Sequence, residues 1–387
     1  MQTSTVYKDF CNFVRSLYPQ TEIIPLHEPF LIGNEKKFVS DAIESSFVSS
    51  VGQYVDKFEN QISKFTKCKY AIATVNGTSA LHVSLQIVGA KKNTEVVTQS
   101  LTFAATCNAI SYCGASPTFI DINLTSLGMC PVKLEEFFVS KCKRNKSGKL
   151  YNKETKREVV ACLPVHTYGH PSDILNIKKI CKRFNIPIIE DAAESIGSFY
   201  DKIHTGNFGV MGCLSFNGNK TITTGGGGMI ITNNKKFAKK AKHITTTARK
   251  VNKWFIEHDQ IGYNYRMPNI NAAIGLGQIQ KIRKLIAQKR KLARKYILWG
   301  KKYDISFFQE RDLARSNYWL NTIIAKDKDD RDKLLEVTNK NNILTRPAWT
   351  PMHLMRIYKN SYECDLSNTE WIFDRLVNVP SSVTGLK

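Results

Sequence analysis

Between about residues 50 and 245 the chain keeps repeating one pattern, a short apolar run followed by a stretch with helical spacing. "YAIATV" leads into "TSALHVSLQIVGA", and "EVVTQS" leads into "FAATCNAISYCGA". "PTFIDI", "REVVACLPVH", "IPIIEDAA", "VMGCLSF" and "GMIIT" read as further strands. This rhythm predicts an α/β fold with a mostly parallel sheet between helices. After about residue 245 the texture changes. "NINAAIGLGQIQKIRKLIAQKRKLARKYILWGKKY" has helical apolar spacing and a basic outer face, and "YWLNTIIAK" looks like a strand. The expected division is a large domain over 1–245 and a smaller C-terminal α/β domain over 246–387. The polar stretch "NKSGKLYNKETK" reads as a solvated hairpin or loop insertion.

Composition narrows the classes. The 56 basic residues outnumber the 33 acidic ones, for a net charge of +23. A nucleic-acid binder would cluster them beside stacking aromatics. Here they are dispersed, so a Lys-rich surface drawing a small polyanion is the better expectation, with no nucleic acid. No apolar run approaches the roughly 18 residues of a membrane span. The first twenty residues are polar, so a cytoplasmic protein is expected. Ten cysteines without a CxxC pair suggest reduced thiols, and no metal site is expected. The Asn-x-Ser/Thr matches at Asn76, Asn123, Asn145 and Asn219 then have no glycosylation route.

In open α/β sheets ligands bind beyond the carboxyl ends of the strands. Three strand ends stand out. After "YAIATV" come Asn76, Gly77, Thr78 and Ser79, then a helix. This suits a phosphate on a helix N-terminus, or simply an N-cap. After "IPII" come Glu190, Asp191, two alanines and Glu194. Asp191 could hold a cationic ring nitrogen beside those small residues, or cap a helix. After "LSF" comes "NGNKTITTGGGG". Its spacing fails as a P-loop. Lys220, set at a strand end before four glycines, suits an amine that forms and releases a Schiff base. A surface lysine is the plain alternative. Phosphate cradle, carboxylate and lysine in this order are the three anchors of pyridoxal 5'-phosphate.

With these motifs in view, the chain resembles the sugar aminotransferases of the DegT/DnrJ/EryC1/StrS type, a branch of the fold-type I pyridoxal-phosphate enzymes. "VNGTSALHVSL", "TFAATCNAI", "PVHTYGHPSDI", "EDAAESIG", "SFNGNKTITTGGGGMI" and "IGYNYRMPNINAAIGLGQI" carry the resemblance. It implies that Lys220 bonds the cofactor, Asp191 pairs with the pyridine nitrogen and Glu194 lies near the ring oxygen. It implies that Phe103 stacks on the ring and that Gly77, Thr78 and Ser215 contact the phosphate. Asn264 matches a residue that reaches the phosphate from the neighbouring subunit, so a homodimer with shared active sites is expected. His166 and Tyr168 in "PVHTYGHP", and Arg346 and His353 in "RPAWTPMH", are candidates for substrate contact. The longer basic insertion near 142–158 is the one departure from the family pattern.

The implied reaction moves an amino group from an amino acid, expected to be L-glutamate, to a keto sugar on a nucleotide diphosphate. Pyridoxamine phosphate would be the intermediate carrier. A related dehydratase branch has histidine in place of the lysine, and Lys220 argues against it. A non-catalytic binding module would have no use for the three anchors. The motifs look most like the branch that aminates C4 of UDP-linked 4-keto-6-deoxy-2-acetamido sugars, with GDP- or dTDP-linked sugars as the alternative.

Overall fold

The computed structural model describes residues 3–19, 21–251 and 254–384. Seven strands build the central sheet: β1 (Tyr70–Thr74), β2 (Thr94–Gln99), β3 (Ser116–Ile120), β4 (Glu158–Leu163), β5 (Ile189–Asp191), β6 (Met211–Ser215) and β7 (Gly228–Thr232). Their spatial order is β1-β7-β6-β5-β4-β2-β3. The β5–β4 junction is made by the parallel bridges Cys162–Ile188 and Val165–Asp191. Only β7 runs antiparallel to its neighbours; β6–β5, β4–β2 and β2–β3 pair in parallel. β2, β6 and β7 are buried along their whole length. Sheets covered by helices on both faces produce such unbroken apolar runs. The carboxyl ends of β1, β2, β4, β5 and β6 therefore open toward one edge, where the loops ahead of the helices Gly77–Ile87 and Ala104–Tyr112 also lie.

The basic insertion forms a hairpin, Cys142–Arg144 against Leu150–Asn152, which joins β4 at Tyr151–Glu158. The hairpin widens the sheet on the side away from the strand-end loops.

A second sheet combines Ser306–Phe307, Asn321–Ile324, Leu376–Val379 and Arg346–Pro347. The helix Asn269–Tyr303 links the two regions; its 35 residues span about 50 Å. Its first half packs with Phe58 and Ile62, and its second half, through Leu292 and Tyr296, packs with Phe307, Ile323 and Val377. The second sheet lies wholly after residue 245, the expected boundary, whereas the packing and the central sheet cross it. The helix Thr3–Leu17 places Phe10 and Val14 in the core of the smaller sheet, and Tyr362–Glu363 pairs in parallel with β3 of the large one.

The last two glycines of the run, Gly227 and Gly228, are held by close packing. A Cβ at Gly228 would lie 2.3 Å from the carbonyl carbon of Asn76, and one at Gly227 would lie 2.1 Å from Thr224 Oγ1. None of these glycines lines the cavity described next. They let β7 start hard against the turn that ends β1.

Candidate active site

A cavity of about 300 Å³ opens at the strand-end edge. Lys220 lies in it with its side chain 12% exposed. Its Nζ donates to Glu194 Oε1 at 3.2 Å and sits 3.9 Å from the centroid of the Trp319 ring. Carboxylate and aromatic face both attract an ammonium. Glu194 is itself fixed, because Oε2 accepts the backbone N–H of Tyr168 at 2.8 Å. Burial pushes the Glu194 carboxyl up, and the Lys220 charge partly opposes this. Asn317 braces the arrangement: its Nδ2 donates to the carbonyls of Glu194 and Ile196 and to Thr221 Oγ1.

Asp191 ends β5 and is buried. Oδ2 accepts from Thr106 Oγ1 at 2.7 Å and Oδ1 from the Ala193 N–H at 3.2 Å. Desolvation raises its pKa above the ordinary carboxylate value, against the lowering by these donors and by Lys220. A cation is the partner such a carboxylate lacks, and a protonated ring nitrogen supplies one. At the β1 end, Asn76 Oδ1 caps the helix by accepting the Ser79 N–H at 2.7 Å. The first-turn amides of Gly77 and Thr78 have no acceptor within the helix and stand at the cavity wall. A Cβ at Gly77 would meet Ser215 Cβ at 3.0 Å, so a larger residue would push into this cradle. Phe103, 55% exposed, forms another wall with its ring 6.0 Å from that of Trp349. An anion cradle, an apolar wall, a buried acid and an amine thus surround one space, and the site fits pyridoxal phosphate.

Lys220, Asp191, Glu194, Gly77, Thr78, Phe103 and Ser215 all line this cavity. Four expected substrate contacts do not. His166 is buried behind β5, with Nε2 3.0 Å from Glu190 Oε2 and Nδ1 accepting the Ser172 N–H. Tyr168 is fully buried with its ring 4.5 Å from Trp349; it serves the site through its backbone N–H. Arg346 is exposed at the edge of the smaller sheet and bonds Asn339 Oδ1 and the Thr345 carbonyl. His353 bonds Ser100 Oγ at 2.7 Å and faces Glu370 at 3.3 Å. Asn264 is exposed, bridges to Thr246 and lies outside the cavity of its own chain. Sequence reasoning missed Thr106, Trp319 and Trp349 in the lining. The available signal was a tryptophan in each of the polar contexts "SNYW" and "RPAWT".

Comparison with known proteins agrees with this geometry. The profile of the DegT/DnrJ/EryC1/StrS aminotransferase family matches residues 30–384. A GDP-perosamine synthase of Escherichia coli O157:H7 is 36% identical over 343 residues, covering 88% of each chain. One from Vibrio cholerae is 35% identical over 364 residues, covering 93% of this chain and 94% of its own. The crystal structure of a DegT DnrJ EryC1 StrS aminotransferase from Brucella abortus superposes with a TM-score of 0.82 at 26% identity, over 90% of each chain.

Proposed function

The chain belongs to the DegT/DnrJ/EryC1/StrS aminotransferase family, and from that premise we propose that it aminates C4 of a GDP-linked 4-keto-6-deoxy sugar with L-glutamate as donor. It is a pyridoxal-phosphate-dependent aminotransferase of fold type I. The observation that carries the site assignment is Lys220 Nζ held between Glu194 and Trp319 in the same cavity as buried Asp191.

When bound, the cofactor supplies an electron sink for the carbon that gains or loses the amino group. The chain's residues do the rest. Asp191 holds the ring nitrogen in its protonated state. The amides of Gly77 and Thr78 and the hydroxyl of Ser215 take the phosphate. Phe103 covers the ring. Lys220 would hold the cofactor through Nζ and, when free of it, would carry the proton to and from the reacting carbon. Glu194 Oε1 gives the released Nζ a fixed acceptor, and the Trp319 ring shields it from water. Asn264 would reach the phosphate of a second copy, which would make the working unit a homodimer, and the enzyme would act in the cytoplasm.

One consideration supports the nucleotide, and a second supports a diphosphate substrate in general. The relatives cited above are named for a GDP-linked amino sugar, which weighs for GDP over the UDP-linked 2-acetamido sugar expected from the motifs. The net charge of +23 favours encounter with any diphosphate. The test compares kcat/KM for GDP-, UDP- and dTDP-linked 4-keto sugars with glutamate, with products read by mass spectrometry. Preference for GDP and amination at C4 is expected. Preference for UDP or dTDP overturns the nucleotide; no amination of any keto sugar overturns the reaction.

A further inference from the structure

Lys289 lies in the middle of the helix Asn269–Tyr303, fully buried between Leu285, Ile286, Leu292 and Ala293. Its Nζ contacts His27 Nε2 at 2.9 Å and donates to the carbonyls of Trp319 at 3.1 Å and Ser381 at 2.7 Å. Three acceptors match the three N–H groups of an ammonium. None of them is a carboxylate, so the charge is buried without an opposite charge beside it. Desolvation brings its pKa down to about 7. An apolar side chain would fill the same place at lower cost in stability. Packing alone therefore does not explain a lysine here.

The contact that matters is Trp319. Its backbone is held twice, the N–H by Asn317 Oδ1 at 2.8 Å and the carbonyl by Lys289. Its indole Nε1 donates to the carbonyl of Asn219 at 2.7 Å, one residue from Lys220. Its ring face meets Lys220 Nζ. The titratable groups facing this knot are Lys289 from the long helix, His27 from the loop after the first helix, and Lys220 with its partner Glu194. His27 is within electrostatic reach of both lysines.

We infer that Lys289 is a positioning residue for the reactive amine: by pinning the Trp319 carbonyl it fixes the indole that backs Lys220 and anchors the Asn219 carbonyl. The inference rests on the assignment of Lys220 as the amine that bonds the cofactor.

The test uses the holoenzyme with Lys289→Met, which keeps length and removes the donors. Three quantities are read: the pH midpoint of the visible absorbance of the cofactor–lysine link, kcat and KM separately, and the melting temperature. Leu292→Ala, a cavity in the same helix that leaves Trp319 alone, controls for stability. Lys289→Met is expected to move the midpoint by at least about half a pH unit and to lower kcat at least about tenfold, with KM changed less than about threefold. Leu292→Ala is expected to lower the melting temperature and leave midpoint and kcat in place. If Lys289→Met does not fold, Lys289→Gln, which keeps a polar side chain but is too short to hold the Trp319 carbonyl as Nζ does, decides by the same midpoint and kcat. Borohydride treatment of the wild type separates the two claims. Label on a lysine other than Lys220 overturns both; label on Lys220 with an unmoved midpoint and unchanged kcat overturns this inference alone.

Discussion

Replacing Asp191 by Asn keeps the shape of the side chain and removes one buried charge. At an effective permittivity of about 20, two opposite unit charges about 4 Å apart attract by about 4 kcal/mol, or about three pK units for the ring nitrogen. If two-thirds of that is felt in the transition state, the rate falls about 10²-fold. The apoprotein responds in the opposite sense. Desolvation raises the Asp191 pKa above its ordinary 3.8. Its favourable contribution is therefore present below pH 3.8 and is lost as pH rises through the raised folded value. Above that value a charged carboxylate is buried there with only Thr106 Oγ1 and the Ala193 amide as donors, and the neutral Asn side chain relieves that cost. Asp191→Asn apoprotein should melt no lower than wild type at neutral pH, while its gain on adding pyridoxal phosphate shrinks. For wild type that gain is about 2.7 kcal/mol at a hundredfold excess over Kd. Thermal melts with and without cofactor, beside steady-state kinetics, read both effects. Wild-type turnover with an undiminished cofactor-induced shift would refute the reasoning and leave Asp191 a structural acid.

Lys220→Ala should fold, lose turnover and fail to retain label after borohydride, whereas wild type carries the label on the peptide containing Lys220. Chains bearing Asn264→Asp and Lys220→Ala, each inactive alone, should regain part of the wild-type activity when mixed, since one site per mixed dimer recovers both residues. No recovery despite demonstrated subunit exchange would count against a shared site. Gly228→Ala drives a Cβ to 2.3 Å from the Asn76 carbonyl carbon. It should cost about 1–3 kcal/mol in denaturant unfolding and weaken cofactor binding, because Asn76 and Gly77 must shift.

The strand-end rule made much of the site readable. Asn76–Thr78, Asp191 and Ser215 sit where short apolar runs stop, and a stop is visible in a one-dimensional pattern. A mixed sheet follows from the family resemblance, but which strand reverses was harder to read. β7 looks like every other buried strand, and its reversal depends on the tight Gly225–Gly228 turn-in. Trp319 was hidden because "YWLNTIIAK" has strand composition throughout. In fact the strand covers only Asn321–Ile324, and Tyr318 takes a φ of 50° as the chain bends into the site. His166 looked like a pocket residue for a related reason. A histidine after a strand reads the same whether its ring faces a ligand or a buried glutamate, and Glu190 settled the matter from a different strand. Lys289 carries no signal at all within a helix rich in lysines. Burial separates it from its neighbours, and burial depends on segments distant in sequence.

The helix Thr3–Leu17 finds its apolar partners at Phe307, Ile323, Val377 and Val379. About 300 residues separate its end from Ile323, and at about 5–20 residues per second a ribosome takes about 15–60 s to make them. Until Tyr296, Trp299 and Phe307 are made, Phe10 lacks the rings it packs against in the finished protein, and Ile323, Val377 and Val379 follow later still. The smaller lobe is therefore closed by strands made about 300 residues or more after its first helix. Contacts this distant in sequence make its assembly slow, and the apolar face of the first helix stays uncovered by its late partners while the rest is synthesised.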